Sequence, residues 1–197
     1  MIAIIIILLV IALLYVLSVK GRKDFDGLSN LQGYYYAHRG LHSEGIPENS
    51  MAAFRAAKEA GYGIELDVHL MADGNLAVIH DSSLKRTAGA DIMIEDLIAE
   101  DLDDFCLEGT DEKIPLLPQV LRMFEGGVPV IVELKSFRGN CNRLCDAACA
   151  VLKDFDGYYC VESFDPRCIV WLRNAHNDVI RGQLTENFFL SKSRISN

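Results

Sequence analysis

The chain has 197 residues, with 19 Lys and Arg against 28 Asp and Glu for a formal net charge of -9, and half of its residues are hydrophobic. That length fits one ordinary globular domain with an appendage. A net-negative chain lacks the basic surface that neutralises phosphate backbones, and its charged residues are interleaved with apolar runs, so nucleic-acid binding and wholesale disorder are both excluded.

Residues 1–19 read MIAIIIILLVIALLYVLSV, with no charged residue, and Lys20, Gly21, Arg22 and Lys23 follow at once. The basic residues come after the apolar run and no A-x-A site is present, which predicts a retained membrane-spanning helix rather than a cleaved signal peptide. Positive charge on the C-terminal flank places the remainder in the cytoplasm, after a basic linker over residues 20–33. Cys141, Cys145 and Cys149 recur four residues apart in a helical stretch, and no C-x-x-C spacing occurs. They read as small buried hydrophobes in a reducing compartment, not as zinc ligands or a redox centre.

From residue 34 the chain alternates strand-length apolar runs with helical patterns. The runs are 34–40, 62–70, 75–81, 128–136, 158–165 and 179–184, each rich in β-branched or aromatic residues. Helices are predicted over 50–60, 118–124, 142–155 and 166–174. The repetition argues for a parallel sheet with crossover helices. Residues 82–117, holding MIEDLIAEDLDD and then KIPLLP, break the rhythm and read as an insertion.

Ionisable residues gather at the C-terminal ends of these runs: His38 and Arg39, Glu65 and Asp67, His80 and Asp81, Glu133 and Lys135, Glu162. That rim is where parallel α/β folds build their sites. Glu65 and Asp67 share one face of their strand, as do Glu133 and Lys135. If those faces look inward, three carboxylates and a lysine converge. Acids among Ile64, Leu66, Val130 and Val132 need a compensating cation, and an all-oxygen set suits Mg²⁺ or Ca²⁺. The alternative is that Glu65 or Asp67 merely pairs with Arg39 or Lys135. His38 and His80 end separate strands and suit acid/base roles. His69 is expected to face away from Asp67, and His42 and His176 need only solvated or helix-end roles. Arg39 and Lys135 offer fixed positive charge to an anionic phosphoryl group. The set describes metal-assisted phosphoryl transfer.

AHRG at 37–40, PENS at 47–50, GIELDVHLMADG at 63–74, VIHD at 78–81, IPLL at 114–117, VELK at 132–135 and SFD at 163–165 closely resemble the glycerophosphodiester phosphodiesterase family, in its order and spacing. The resemblance implies a (β/α)₈ TIM-type barrel that hydrolyses glycerophosphodiesters to glycerol 3-phosphate and an alcohol with a divalent cation. Position by position it implies Glu65, Asp67 and Glu133 as metal ligands, His38 and His80 as the acid/base pair, and Arg39 and Lys135 as phosphate ligands. It further implies a cyclic phosphate, formed by attack of a substrate hydroxyl and then opened by water. Glu48 and Asn49 match a motif beside the site, and residues 82–117 match the family's small insertion.

Eight βα units typically need about 250 residues, whereas residues 34–197 hold six strand candidates and then a polar tail. The barrel is thus expected to be truncated after about six strands. Two functions follow: an anchored phosphodiesterase acting on glycerophosphodiesters or lysophospholipids, or a non-catalytic relative that binds phosphoryl ligands or a membrane partner.

Overall fold

The computed structural model describes residues 2–19, 21 and 27–186. All six expected strands form: β1 (Tyr36–His38), β2 (Gly63–Leu70), β3 (Leu76–Val78), β4 (Val130–Leu134), β5 (Tyr159–Ser163) and β6 (Arg181–Gln183). They make one sheet in the order β1-β2-β4-β5-β6, with β3 beside the end of β2. The neighbours along that path are all parallel. β3 departs from the expected parallel sheet and runs antiparallel to β2. Its connection is a tight turn in which Met71 N–H donates to the Asn75 carbonyl at 2.9 Å, and a turn that short cannot make a parallel crossover.

The crossovers are helical: α2 (Met51–Glu59), α4 (Leu117–Phe124), α5 (Cys141–Leu152) and α6 (Pro166–Ala175), with a short α3 (Lys85–Ala88) inside the insertion. Ser50 caps α2 by accepting from Ala53 N–H, and Asp165 caps α6 ahead of Pro166, so the chain marks both starts. One face of the strands, including Ile64, Leu66, Val68, Val130, Val132, Leu134 and Val161, packs with these helices into the main apolar core. Residues 82–117 are not merely a polar excursion. Leu84, Ile94, Leu102, Leu107 and Ile114 join Met71, Ala77 and Ile79 in a second apolar cluster.

Ile2–Val19 form one helix, α1, of 18 residues, and its apolar side chains from Ile4 to Leu17 are exposed. Among the described residues no helix is long and apolar enough to cross a membrane. The expected membrane-spanning anchor is therefore not supported, and neither is the cytoplasmic placement inferred from it. Lys20, Arg22 and Lys23, like the tail from residue 187, lie outside the described residues.

Gly40 ties β1 to α2. Its φ is +79°, and a Cβ there would stand 2.8 Å from the Ala53 Cβ and 2.9 Å from the Ala53 carbonyl carbon. Gly40→Ala is expected to lower stability by about 3 kcal/mol, from backbone strain plus overpacking. Urea denaturation checks this; an unchanged midpoint would mean the α2 entry can shift freely.

Candidate active site

Strand alternation builds the site. While Ile64, Leu66 and Val68 face the helices, Glu65, Asp67 and His69 face the other side, and register places Asp67 opposite Glu133 and Glu133 opposite Glu162. Oxygens of Glu65, Asp67 and Glu133 lie within 4.8 Å of one another, and all three residues are buried. Lys135 Nζ sits 2.9 Å from Asp67 Oδ1 and 2.6 Å from Glu133 Oε1. Convergence and ion pairing, alternatives on sequence, coexist here.

The electrostatics differ from acid to acid. Burial, then the neighbouring Asp67 charge, pushes Glu65 up to about 8. Burial likewise raises Glu133 against the pull of Lys135. Burial also opposes ionisation of Asp67, but Lys135 and the Asn49 amide, which donates to Oδ2 at 2.9 Å, hold its carboxyl below the ordinary range. Asp67 Oδ1 is buried without an aligned hydrogen bond, with the Lys135 ammonium as a charge neighbour. Three clustered oxygen donors, two of them reluctant to ionise unaided, fit a hard divalent cation.

Arg39 stands in the left-handed region at φ 58°. That turn aims its backbone N–H at Glu65 Oε2, 3.0 Å away, and carries its guanidinium to Glu48 at 3.1 Å and to within 3.4 Å of Asp67. Asn49, also left-handed at φ 54°, is 1% exposed. Arg39 and Lys135, expected on phosphate, are thus both engaged by carboxylates in this state.

His38 lies at the mouth with a 68% exposed side chain, its Nε2 3.9 Å from Glu65 Oε2. Partial burial and the Arg39 charge lower its pKa. His80 sits deeper, lowered by burial and by Lys135 despite Asp81, which lies 2.6 Å from its Nδ1. With Nδ1–H donating to Asp81, Nε2 is the nitrogen left for a ligand. The cavity beside it, about 650 Å³, is lined by His69, His80, Asp81, Glu133, Lys135, Ser136 and Asp165 among others.

His69 corrects the sequence reading. A two-residue step keeps it on the same face as Asp67, where it pairs with Glu95 at 2.7 Å and contacts the His80 carbonyl at 3.0 Å. His42 is exposed, and His176 ends α6 beside Asp146. Sequence reasoning missed the chain of charges behind His80: Asp81 to Arg86, Arg86 to Glu48 at 2.6 Å, and Glu48 to Arg39. The PENS and VIHD motifs carried Glu48 and Asp81, but nothing local pointed to Arg86. Glu162, raised by burial and by Glu133, is a fourth acid at the rim.

The chain is 39% identical over 108 residues to a glycerophosphodiester phosphodiesterase of Caldanaerobacter subterraneus subsp. tengcongensis, covering 51% of this chain and 44% of that one. It is 34% identical over 114 residues to the lysophospholipase D GDPD1 of Rattus norvegicus, covering 51% of this chain and 36% of that one. It therefore spans less than half the length of these relatives. A solved Oleispira antarctica phosphodiesterase in complex with its product sn-glycerol-3-phosphate superposes with a TM-score of 0.70 at 28% identity, covering 76% of this chain and 65% of that one. The described sheet matches part of that fold, a path of five parallel strands with β3 off it beside β2. The family model for the glycerophosphoryl diester phosphodiesterases matches residues 38–191, most of the chain, and the chain belongs to that family.

Proposed function

We propose that the chain hydrolyses glycerophosphodiesters to glycerol 3-phosphate and an alcohol. The observation that carries this is the convergence of Glu65, Asp67 and Glu133 within 4.8 Å beside two histidines and two cations. Those carboxylates would hold Mg²⁺ or Ca²⁺, which when bound supplies charge neutralisation to the phosphoryl oxygens. With the acids so engaged, Arg39 and Lys135 are released to bind the anionic phosphoryl group. Of the two imidazoles, one takes the proton of the attacking hydroxyl as its oxygen bonds to phosphorus. The other protonates the alcohol oxygen as its ester bond breaks. The nucleophile in the first step is the substrate's own glycerol hydroxyl, giving a cyclic phosphate that water then opens.

The substrate class includes soluble diesters and lysophospholipids, the latter supported by the likeness to a lysophospholipase D. A second reading, a relative that binds phosphoryl ligands without turnover, draws on the engagement of both Arg39 and Lys135 by acids. Initial rates of glycerol 3-phosphate release from glycerophosphocholine and glycerophosphoethanolamine, and of lysophosphatidate release from lysophosphatidylcholine, distinguish them. Turnover of at least one, dependent on the cation, is expected. Phosphate binding by calorimetry with no turnover of any would establish the second reading.

A further inference from the structure

Behind the cavity wall lies a cluster that the proposed reaction does not use. Cys141 is the first residue of α5, and Cys168 lies in the first turn of α6, whose cap is Asp165. The two sulfurs and an Asp165 oxygen all fall within 4.8 Å of one another. Cys141 is 4% and Cys168 0% exposed, and neither is in a disulfide. The Cys141 thiol donates to Asp165 Oδ2 at 3.0 Å, an oxygen that also accepts from Ser136 Oγ at 2.6 Å and from Arg167 at 2.7 Å. Cys145, one turn along α5, donates instead to the Cys168 carbonyl at 3.7 Å.

We propose that Cys141, Cys168 and Asp165 form a second metal site, selective for a thiolate-preferring divalent ion such as Zn²⁺ and distinct from the oxygen-only cluster of Glu65, Asp67 and Glu133. Two sulfurs about 2.3 Å from one tetrahedral ion lie about 3.7 Å apart, a spacing that small side-chain rotations reach from the observed one. Burial and the neighbouring Asp165 push the Cys141 thiol up to about 12, and the Cys145 hydrogen bond and burial raise Cys168, so both stay protonated until the ion displaces their protons. The one excess negative charge of two thiolates and a carboxylate is offset by Arg167. Each thiol loses its proton on binding, so two protons pass to solvent per ion. Entry is from the cavity, because Asp165 and Ser136 line it. No local spacing announces this set: Cys168 is brought to Cys141 only by the α5-β5-α6 crossover.

The test titrates the full chain, purified under reducing conditions and freed of metal, with Co²⁺ followed by Zn²⁺. A sulfur-to-cobalt charge-transfer band is expected, displaced by Zn²⁺, retained in Cys106→Ser and Cys160→Ser, and lost in Cys141→Ser with Cys168→Ser. Because that double variant disturbs a buried cluster, alkylation of the unaltered chain is mapped by peptide mass spectrometry with and without Zn²⁺. Zn²⁺ is expected to slow labelling of Cys141 and Cys168 by about tenfold or more. A cobalt spectrum of oxygen-only coordination, or labelling of both cysteines at the same rate with and without Zn²⁺, would overturn the site.

Discussion

His80→Ala is expected to cut turnover of glycerophosphocholine by about 10²–10⁴-fold, the usual worth of a positioned acid or base, while calorimetric affinity for Mg²⁺ or Ca²⁺ stays within about twofold, because His80 does not belong to the carboxylate set. The expected size of the effect follows from how this imidazole is held. Its Nδ1 is held by Asp81, Asp81 by Arg86, and Arg86 by Glu48. Asp81→Asn should accordingly lose about ten- to a hundredfold, as losing a partner that orients a functional histidine does, and should move the pH–rate profile. Full activity in His80→Ala would remove the histidine from the reaction.

The second large effect concerns the acids. Glu65→Gln combined with Asp67→Asn is expected to abolish measurable Mg²⁺ or Ca²⁺ binding and with it the rise in thermal midpoint that either ion produces. Burial and the Asp67 charge push Glu65 from its ordinary 4.5 up to about 8. Between those values the unfolded chain has released a proton that the folded chain keeps, so stability falls as pH rises. The expected loss is on the order of a few kcal/mol between pH 5 and 8. Glu65→Gln alone should flatten that slope, and a cation, which takes the proton's place, should stabilise the native protein more at pH 8 than at pH 6. Asp67 opposes this only below its ordinary range, because its lowered carboxyl contributes stability that is lost at more acid pH. A midpoint independent of pH over that window, with unchanged ion binding in the double variant, would place the ion elsewhere.

The sheet and the site were unevenly legible in the sequence. Apolar runs of strand length sufficed for the six strands, and two-residue spacing sufficed to bring Glu65, Asp67, Glu133 and Lys135 together, because Ile64, Leu66, Val130 and Val132 take the helix-side face and leave the other to the acids and Lys135. The same parity, applied to His69, would have placed it beside Asp67. What sequence spacing could not carry was contact between distant segments. Glu48 and Arg86 are 38 residues apart and meet only because the start of α2 and the insertion flank one rim. The antiparallel β3 was hidden because its residues alternate like those of any buried strand, and only the length of its turn sets its direction. The apolar leader reads as a span by composition, yet among the described residues no helix is long and apolar enough to cross a membrane.

The most direct test of the central claim follows phosphorus NMR of glycerophosphocholine incubated with the full chain, first in chelator, then with Mg²⁺ or Ca²⁺ restored, with His38→Ala alongside. No change is expected in chelator, conversion to glycerol 3-phosphate when the ion is restored, and little or none in the variant. An intact diester signal in the presence of the ion, from a chain shown by circular dichroism to be folded, would contradict it.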